Sequence, residues 1–425
     1  MKRQFKKLLL ILPVLFLCFQ ASLLYSCNSW SEGSPAESNA LYLPLNDSDY
    51  PYAGLPRLVI ETEDFRQVRN KETKVPAYLQ IYNEKEPASQ IYDLTIKGRG
   101  NSSFVMTKYG YKIKFAEKNP LLGMSKDKEW DLVSNFRDKS MLRNYVTYQL
   151  AGILGDDYYP KCKFVELYLN REYLGIFLLV EHVKVSKKRV NISKSDSSFL
   201  FEKTSATSTD GTMFTSSLGY IFKFCQPKEP DAYSQELLKN HVNDFENFLR
   251  SKDIYNLDLI GDWIDIEDFI RYYWIQEFTK NVDGHRRSIF ITWEKNGDVN
   301  SPLEMGPVWD FDLGYGNSRD EKSIPEGWLI RKYGWDRFLF KNKDYEALVK
   351  DFWKKNRPSF VATLDSIEAM SKKLEKASEN EFKRWPVLGN DTDWPFMEKF
   401  DSYKESVDAL KYWIEQRIQW IDESL

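Results

Sequence analysis

Three carboxylates stand in the stretch FTKNVDGHRRSIFITWEKNGDVNSPLEMGPVWDFDLGYGN, residues 278–317. Asp283 lies in a polar Asn-Val-Asp-Gly turn, while Asp310 and Asp312 flank a Phe and precede Gly314 and Gly316. A helix ending at that turn presents Asp283 at its C-terminal end. A strand running into VWDFDLGYG puts Asp310 and Asp312 on one face, because a spacing of two returns to the same side. Gly314 and Gly316 let the backbone pass close to a ligand. If a hairpin folds the two points together, three carboxylates converge on a site suited to Mg2+, which usually shares its sphere with water and substrate phosphates. One remaining acid could accept a proton from an attacking hydroxyl. The plainer reading is that Asp and Gly punctuate the turns of a hairpin.

A second stretch, IKGRGNSSFVMTKYGYKIKF (residues 96–115), carries the complementary charge. Arg99 stands between two glycines and is followed by Asn101, Ser102 and Ser103, so the turn offers a guanidinium and backbone N–H groups, that of Gly100 included, to phosphate oxygens. In YKIKF, Lys112 and Lys114 share one strand face, and Tyr111, Ile113 and Phe115 share the other. The apolar face is core, so one or both lysines point into a cleft. A glycine turn and a strand lysine in a β-rich lobe, with Asp residues in a helical lobe, is the division of labour in protein kinases. Neither a Walker A sequence nor the standard kinase glycine loop is present.

These residues need elements to position them. Short β-branched and aromatic runs (RLVIET, AYLQIYN, IYDLTIKG, YKIKF, KFVELYLN, YLGIFLLVE, FLFEK, YIFKF) predict strands separated by turn residues. One helix, residues 138–154, interrupts them. From residue 231 the spacing turns helical. IEDFIRYYWIQEFTK reads as a buried central helix running into Asp283, a hairpin turns at Asn296-Gly297, and YKESVDALKYWIEQRIQWIDESL closes the chain with an apolar stripe. The expected architecture is α+β: a β-rich lobe over residues 56–230, a mainly helical lobe over residues 231–425, and a cleft between them.

The chain has 425 residues, 42% of them hydrophobic, enough for a sizeable core. Its 60 basic and 63 acidic side chains leave a net charge of −3, which argues against an obligate nucleic-acid partner. The basic run KVSKKRV (residues 184–190) reads as a solvated face. Four basic residues precede an apolar run from Leu8 to about Phe19 and then LLYSC. Residues 1–27 therefore resemble a bacterial lipoprotein signal in which Cys27 takes the lipid, with Tyr25 bulkier than the usual pattern; an ordinary secretory signal or an uncleaved anchor are the alternatives. All three place the rest of the chain outside the cytoplasm, in the cell envelope, with the membrane as a partner through the lipid. Residues 28–55 read as a flexible tether. Cys162 and Cys225 either pair or stay as buried thiols.

The stretches KGRGNSSF, YKIKF, NPLLGMSKDKEWDLVSNFRDKSMLRN, VELYLNREYLGIFLLVEHVKV, TKNVDGHRRS and GPVWDFDLGYGN, in this order, resemble the CotH kinases, atypical protein kinases named for spore coat protein H. The resemblance covers most of the chain beyond the tether and implies a two-lobed kinase-like fold that uses ATP with Mg2+ or Mn2+ to phosphorylate a protein. By position it makes Asp283 the catalytic acid and gives the metal to Asp310 and Asp312. The resemblance also puts Lys112 or Lys114 on phosphates, covers them with the turn Arg99–Ser103, sets Glu181 near an adenine hinge, and places Arg143 on a helix facing the cleft. Where many members carry a metal-binding Asn, this chain has Ser288, a shorter and weaker ligand. His285 reads as a turn or positioning residue. The runner-up is a catalytically weak kinase-fold lipoprotein that binds glycans or protein. The acceptor protein is not named by any of these residues.

Overall fold

Seven strands whose apolar residues alternate with polar or outward-packed ones close into a barrel: β1 (Arg57–Thr62), β2 (Val75–Asn83), β3 (Glu86–Arg99), β4 (Gly110–Asn119), β5 (Asp127–Val133), β6 (Cys162–Leu169) and β7 (Glu172–Glu181), in the order β1-β2-β3-β4-β5-β7-β6. All neighbours are antiparallel except β1 and β6, whose parallel pairing closes the ring. The computed structural model describes residues 48–83, 86–205, 211–318, 324–389 and 399–425. The signal, Cys27 and most of the tether lie outside these residues.

The period of two explains the barrel. Leu79, Ile113, Trp130, Leu167 and Leu179 fill its interior. The alternate positions of β7, Ile176, Leu178 and Val180, face a second and larger core. A strand buried on both faces reads as a continuous apolar run, as YLGIFLLVE does. On β4 the outward positions are Lys112 and Lys114; on β5 they are Glu129 and Asp131, with Lys112 directly opposite Asp131.

A second sheet runs β12-β11-β8-β10-β9, with β13 also on β11: β8 (Ser198–Thr204), β9 (Met213–Thr215), β10 (Ile221–Gln226), β11 (Ile289–Asn296), β12 (Val299–Asn300) and β13 (Glu304–Met305). The β8–β11 ladder joins residues on either side of position 231, since Phe201 pairs with Ile291. The helices are α1 (Arg143–Ile153), α2 (Ala232–Arg250), α3 (Leu257–Gly261), α4 (Ile266–Thr279), α5 (Asp336–Leu339), α6 (Lys343–Arg384) and α7 (Tyr403–Ser424). The mixed α+β expectation, β-rich first and helical later, holds; closure of the strands into a barrel was not foreseen.

Three local differences have physical causes. Helix α1 starts at Arg143 rather than 138, because Asp138 Oδ2 accepts the Arg143 backbone N–H at 2.8 Å and ends the preceding turn there. The strand predicted through VWDFDLGYG is absent: β13 stops at Met305, Pro307 has no N–H for a ladder, and Asp310, Tyr315 and Gly316 have φ of 68°, 52° and 76°. In KVSKKRV, Lys187 and Lys188 are solvated but Arg189 is buried, donating to the carbonyls of Glu129 and His182 at 2.8 and 2.7 Å. Cys162 and Cys225 are free thiols.

Helix α6 docks on the barrel through Glu381. Its carboxylate accepts from Lys108 Nζ and from the Ile176 backbone N–H, both at 2.6 Å. Next to that contact Gly175 has φ of 89°, and a Cβ there would lie 2.1 Å from Glu381 Oε2. Gly175→Ala is therefore expected to destabilise the protein by at least about 1–3 kcal/mol from backbone strain, plus the lost α6 contact. Urea unfolding would read this as a lower midpoint, and an unchanged midpoint would refute the docking.

Candidate active site

The two loops that carry the acids are bolted together at the end of α4. Lys280, in the left-handed region at φ of 43°, ends the helix and turns the chain into Asn281-Val282-Asp283. Asn281 Nδ2 donates to the Asp310 carbonyl at 3.1 Å, and the Tyr315 backbone N–H donates to the Thr279 carbonyl at 2.6 Å. The first turn of α1 clamps the same loop: Asn144 Oδ1 accepts the Phe311 N–H at 2.8 Å, and Arg143 Nε donates to the Gly314 carbonyl at 3.1 Å.

These loops form one wall of a cavity of about 690 Å3, with Asp283, Ser288, Asp310 and Asp312 lining it. Arg99, Gly100, Asn101, Ser102 and Lys112 line the facing barrel wall, and His182 and Lys184 continue it. Most residues singled out from the sequence thus meet in one place. Three do not. Lys114 shares the face of Lys112 but sits one strand repeat further along, where it is exposed and outside the cavity lining. Arg143 is buried, ion-paired to Asp138 and spent on the loop carbonyls, so it positions the acidic loop rather than facing the cleft. Glu181 is fully buried outside the lining; its Oε2 accepts the Lys161 N–H at 3.3 Å, and its neighbours His182 and Val183 reach the cavity instead.

The acids differ in their surroundings. Asp283 Oδ1 accepts from Arg286 Nη2 at 2.8 Å and lies 3.5 Å from Arg287 Nε. Burial, and then the charge of Asp283, push the Asp310 carboxyl above the usual range, against a 3.0 Å hydrogen bond from Ser288 Oγ. Burial and Asp310 push Asp312 up to about 8, with Arg137 opposing. Such a pair of half-buried, mutually repelling carboxylates suits a hard divalent cation, which would relieve the repulsion. Among the described residues no group of three or more His, Cys, Asp or Glu is spaced to cage a metal. Mg2+ would accordingly rest on Asp310 and Asp312, with other oxygens from water and substrate phosphates.

One consequence is testable without a substrate. A carboxyl whose folded-state pKa is about 8 holds its proton while the unfolded chain ionises near 4, so its contribution to stability is lost as pH rises through that window. Asp312→Asn stays neutral. In metal-free buffer it is expected to raise the unfolding midpoint at pH 8 and to change it little at pH 4; equal effects at both pH values would refute the burial of an uncompensated carboxyl.

On the barrel wall, Lys112 Nζ is 2.8 Å from His182 Nε2 and 3.2 Å from Glu129 Oε1, and His182 Nδ1 is 2.9 Å from Asp131 Oδ2. A lysine ammonium can only donate, so His182 is neutral, accepts at Nε2 and donates from Nδ1 to Asp131. Burial lowers the His182 pKa, in keeping with this. Burial also lowers Lys112, although Asp131 and Glu129 favour its charge. Despite burial, His182, Arg99 and Lys112 hold the Asp131 carboxyl well below its usual range. Arg99 Nε lies 3.4 Å from Asp131 Oδ1, and the guanidinium stands 5.4 Å over the Trp309 ring of the acidic loop. Glu129 and Asp131 were missed from sequence. The signal was DKEWDL, whose acids at 127, 129 and 131 recur at strand spacing opposite Trp130 and Leu132. His285 stacks on Tyr333 at 4.3 Å outside the cavity lining, as a turn residue.

Chemically, the cavity offers acids on one side and a cationic turn and lysine on the other, which is what a nucleotide phosphate chain with a divalent cation requires. None of the curated proteins compared with it matches the chain. The family model described as CotH kinase protein matches residues 96–421, from the strand that leads into the Arg99 turn almost to the end of α7. The chain belongs to the CotH kinase family.

Proposed function

We propose that this protein is a lipid-anchored atypical protein kinase of the cell envelope, which transfers the terminal phosphate of ATP to Ser or Thr hydroxyls of an extracytoplasmic protein. The observation that carries the reading is the single cavity in which Asp283, Asp310 and Asp312 face Lys112 and the Arg99–Ser102 turn. In this reading the barrel side covers the phosphates and the helical side holds the acids, as the two lobes of a kinase do. The acceptor oxygen forms a bond to the γ-phosphorus, the bond to the bridging oxygen breaks, and ADP departs. Asp283 orients the acceptor and takes its proton. Lys112, drawn from His182 and Glu129, and Arg99 neutralise phosphate charge. A bound Mg2+ or Mn2+ supplies further charge neutralisation on the phosphates. The anchor would be lipid on Cys27.

Calorimetric titration of ATP into the full chain, with and without Mg2+, tests this. Wild type is expected to bind in a Mg2+-dependent manner, and Asp310→Ala to lose at least about tenfold in affinity, the value of one charge-assisted contact. Binding that ignores Mg2+ and Asp310 would remove the metal assignment. A catalytically weak scaffold that binds glycan or protein is the second reading. It is favoured by one feature: Ser288 stands where a stronger amide ligand is expected and spends its hydroxyl on Asp310. No heat with ATP under any divalent cation would select it.

A further inference from the structure

The turn after Asp283 divides its side chains between two cavities. Arg287 and Ser288 line the large one, while His285 and Arg286 line another of about 340 Å3, walled also by Lys203, Tyr220, Tyr333 and Arg337. Among the described residues no carboxylate lines this second cavity. Lys203, near the end of β8, is only 8% exposed, and its ammonium finds no hydrogen-bond or ion-pair partner among the described residues. Its Nζ instead stands 3.6 Å from the centroid of the Tyr220 ring. Burial lowers its pKa to about 8; Asp336 and Glu246 favour the charge from a distance, and Arg337 repels it. A nearly buried ammonium with only a π face for company is costly, and Arg337 at the same cavity adds to the cost. An anion entering here would relieve both, and Arg286 stands at the same wall to add a donor.

We infer that this second cavity binds a phosphate monoester, gripped by Lys203, Arg286 and Arg337. The planar donor forks of two arginines and a point charge from lysine match a phosphate dianion, and the opening leaves room for the group that carries it. Free phosphate and a phosphorylated side chain present the same chemistry. Arg286 also ties the site to the large cavity, since its Nη2 donates to Asp283 Oδ1 at 2.8 Å. The ligand and Asp283 compete for one guanidinium, so occupancy of the second cavity weakens that ion pair. The consequence for catalysis rests on the proposed role of Asp283; the binding itself does not.

The test is titration of inorganic phosphate and of O-phosphoserine into the full chain without nucleotide. Binding is expected in wild type, weakened about tenfold or more in both Lys203→Met and the exposed-site variant Arg337→Ala. It should survive in Lys112→Met, which removes a cation of the large cavity only. Asp283→Asn, which keeps an oxygen but removes the charge that holds Arg286, should tighten it. Equal binding of both probes identifies free phosphate as a sufficient ligand, and binding of phosphoserine alone identifies a phosphorylated side chain. No binding to wild type, or binding lost in Lys112→Met and retained in Lys203→Met and Arg337→Ala, would overturn the assignment. Unchanged affinity in Asp283→Asn would overturn the link through Arg286. Because no readout involves transfer, failure here leaves the kinase reading intact, and failure of that reading leaves this site testable.

Discussion

Asp283→Asn is expected to slow phosphate transfer by about 10²–10⁴-fold, the usual worth of a positioned general base, or about 3–5 kcal/mol of barrier. Asn keeps the size of the side chain and an oxygen for Arg286, so the turn should hold its shape. What disappears is the ability to accept the acceptor's proton. Affinity for ATP with Mg2+ should change no more than a few-fold, since the proposed reading rests the metal on Asp310 and Asp312. The measurement is single-turnover transfer to a hydroxyl acceptor beside calorimetric ATP binding. A variant that transfers at the wild-type rate would move the base elsewhere. A variant that loses ATP binding as well would make Asp283 a binding residue.

Arg417→Met carries the largest expected effect on stability. Arg417 of α7 and Glu277 of α4 are both wholly buried and paired at 2.9 Å. The Glu277 carboxylate also accepts the backbone N–H groups of Leu329 and Ile330 at 2.8 and 2.7 Å. Arg417 in turn donates to the carbonyls of Pro325 and Gly327 at 2.6 and 2.9 Å. Burial lowers the Arg417 pKa to about 10 even with Glu277 beside it. Removing one partner strands the other charge in the core, which costs about 3–5 kcal/mol. Urea unfolding should show that loss, and Arg417→Met combined with Glu277→Leu should recover part of it. A loss under about 1 kcal/mol, the range of exposed pairs, would mean water reaches the site. The pair matters for function because Glu277 lies two residues before Thr279, whose carbonyl anchors the acidic loop.

Much of the site was legible because its signals are local. Asp283 after an apolar helix, the Arg99 turn between strands and the alternation in YKIKF each depend on a few neighbouring residues and their period. The strands and the central helix followed from the same patterns. Legibility failed where a residue's role is set by a partner far along the chain. Arg143 was set on a helix facing the cleft by the family resemblance, which matches positions and not contacts. Its buried contacts with Gly314 and Tyr315 arise only when α1 packs on the acidic loop. Glu181 is one position from His182, yet strand alternation sends one inward to Lys161 and the other to Lys112.

The sequence by itself determined the α+β class, the alternation that hides Tyr111, Ile113 and Phe115, and the turn at the end of the central helix that presents Asp283. Backbone period and turn chemistry are encoded within a few residues. Only the tertiary structure decided which lysine faces the acids, that Glu129, Asp131 and His182 hold it, and that β1 and β6 close a barrel. It also decided that Asp310 and Asp312 sit in a loop with left-handed turns rather than on a strand. Those outcomes depend on register and on contacts between distant segments, and strand pairing between residues a hundred positions apart leaves no local mark on either.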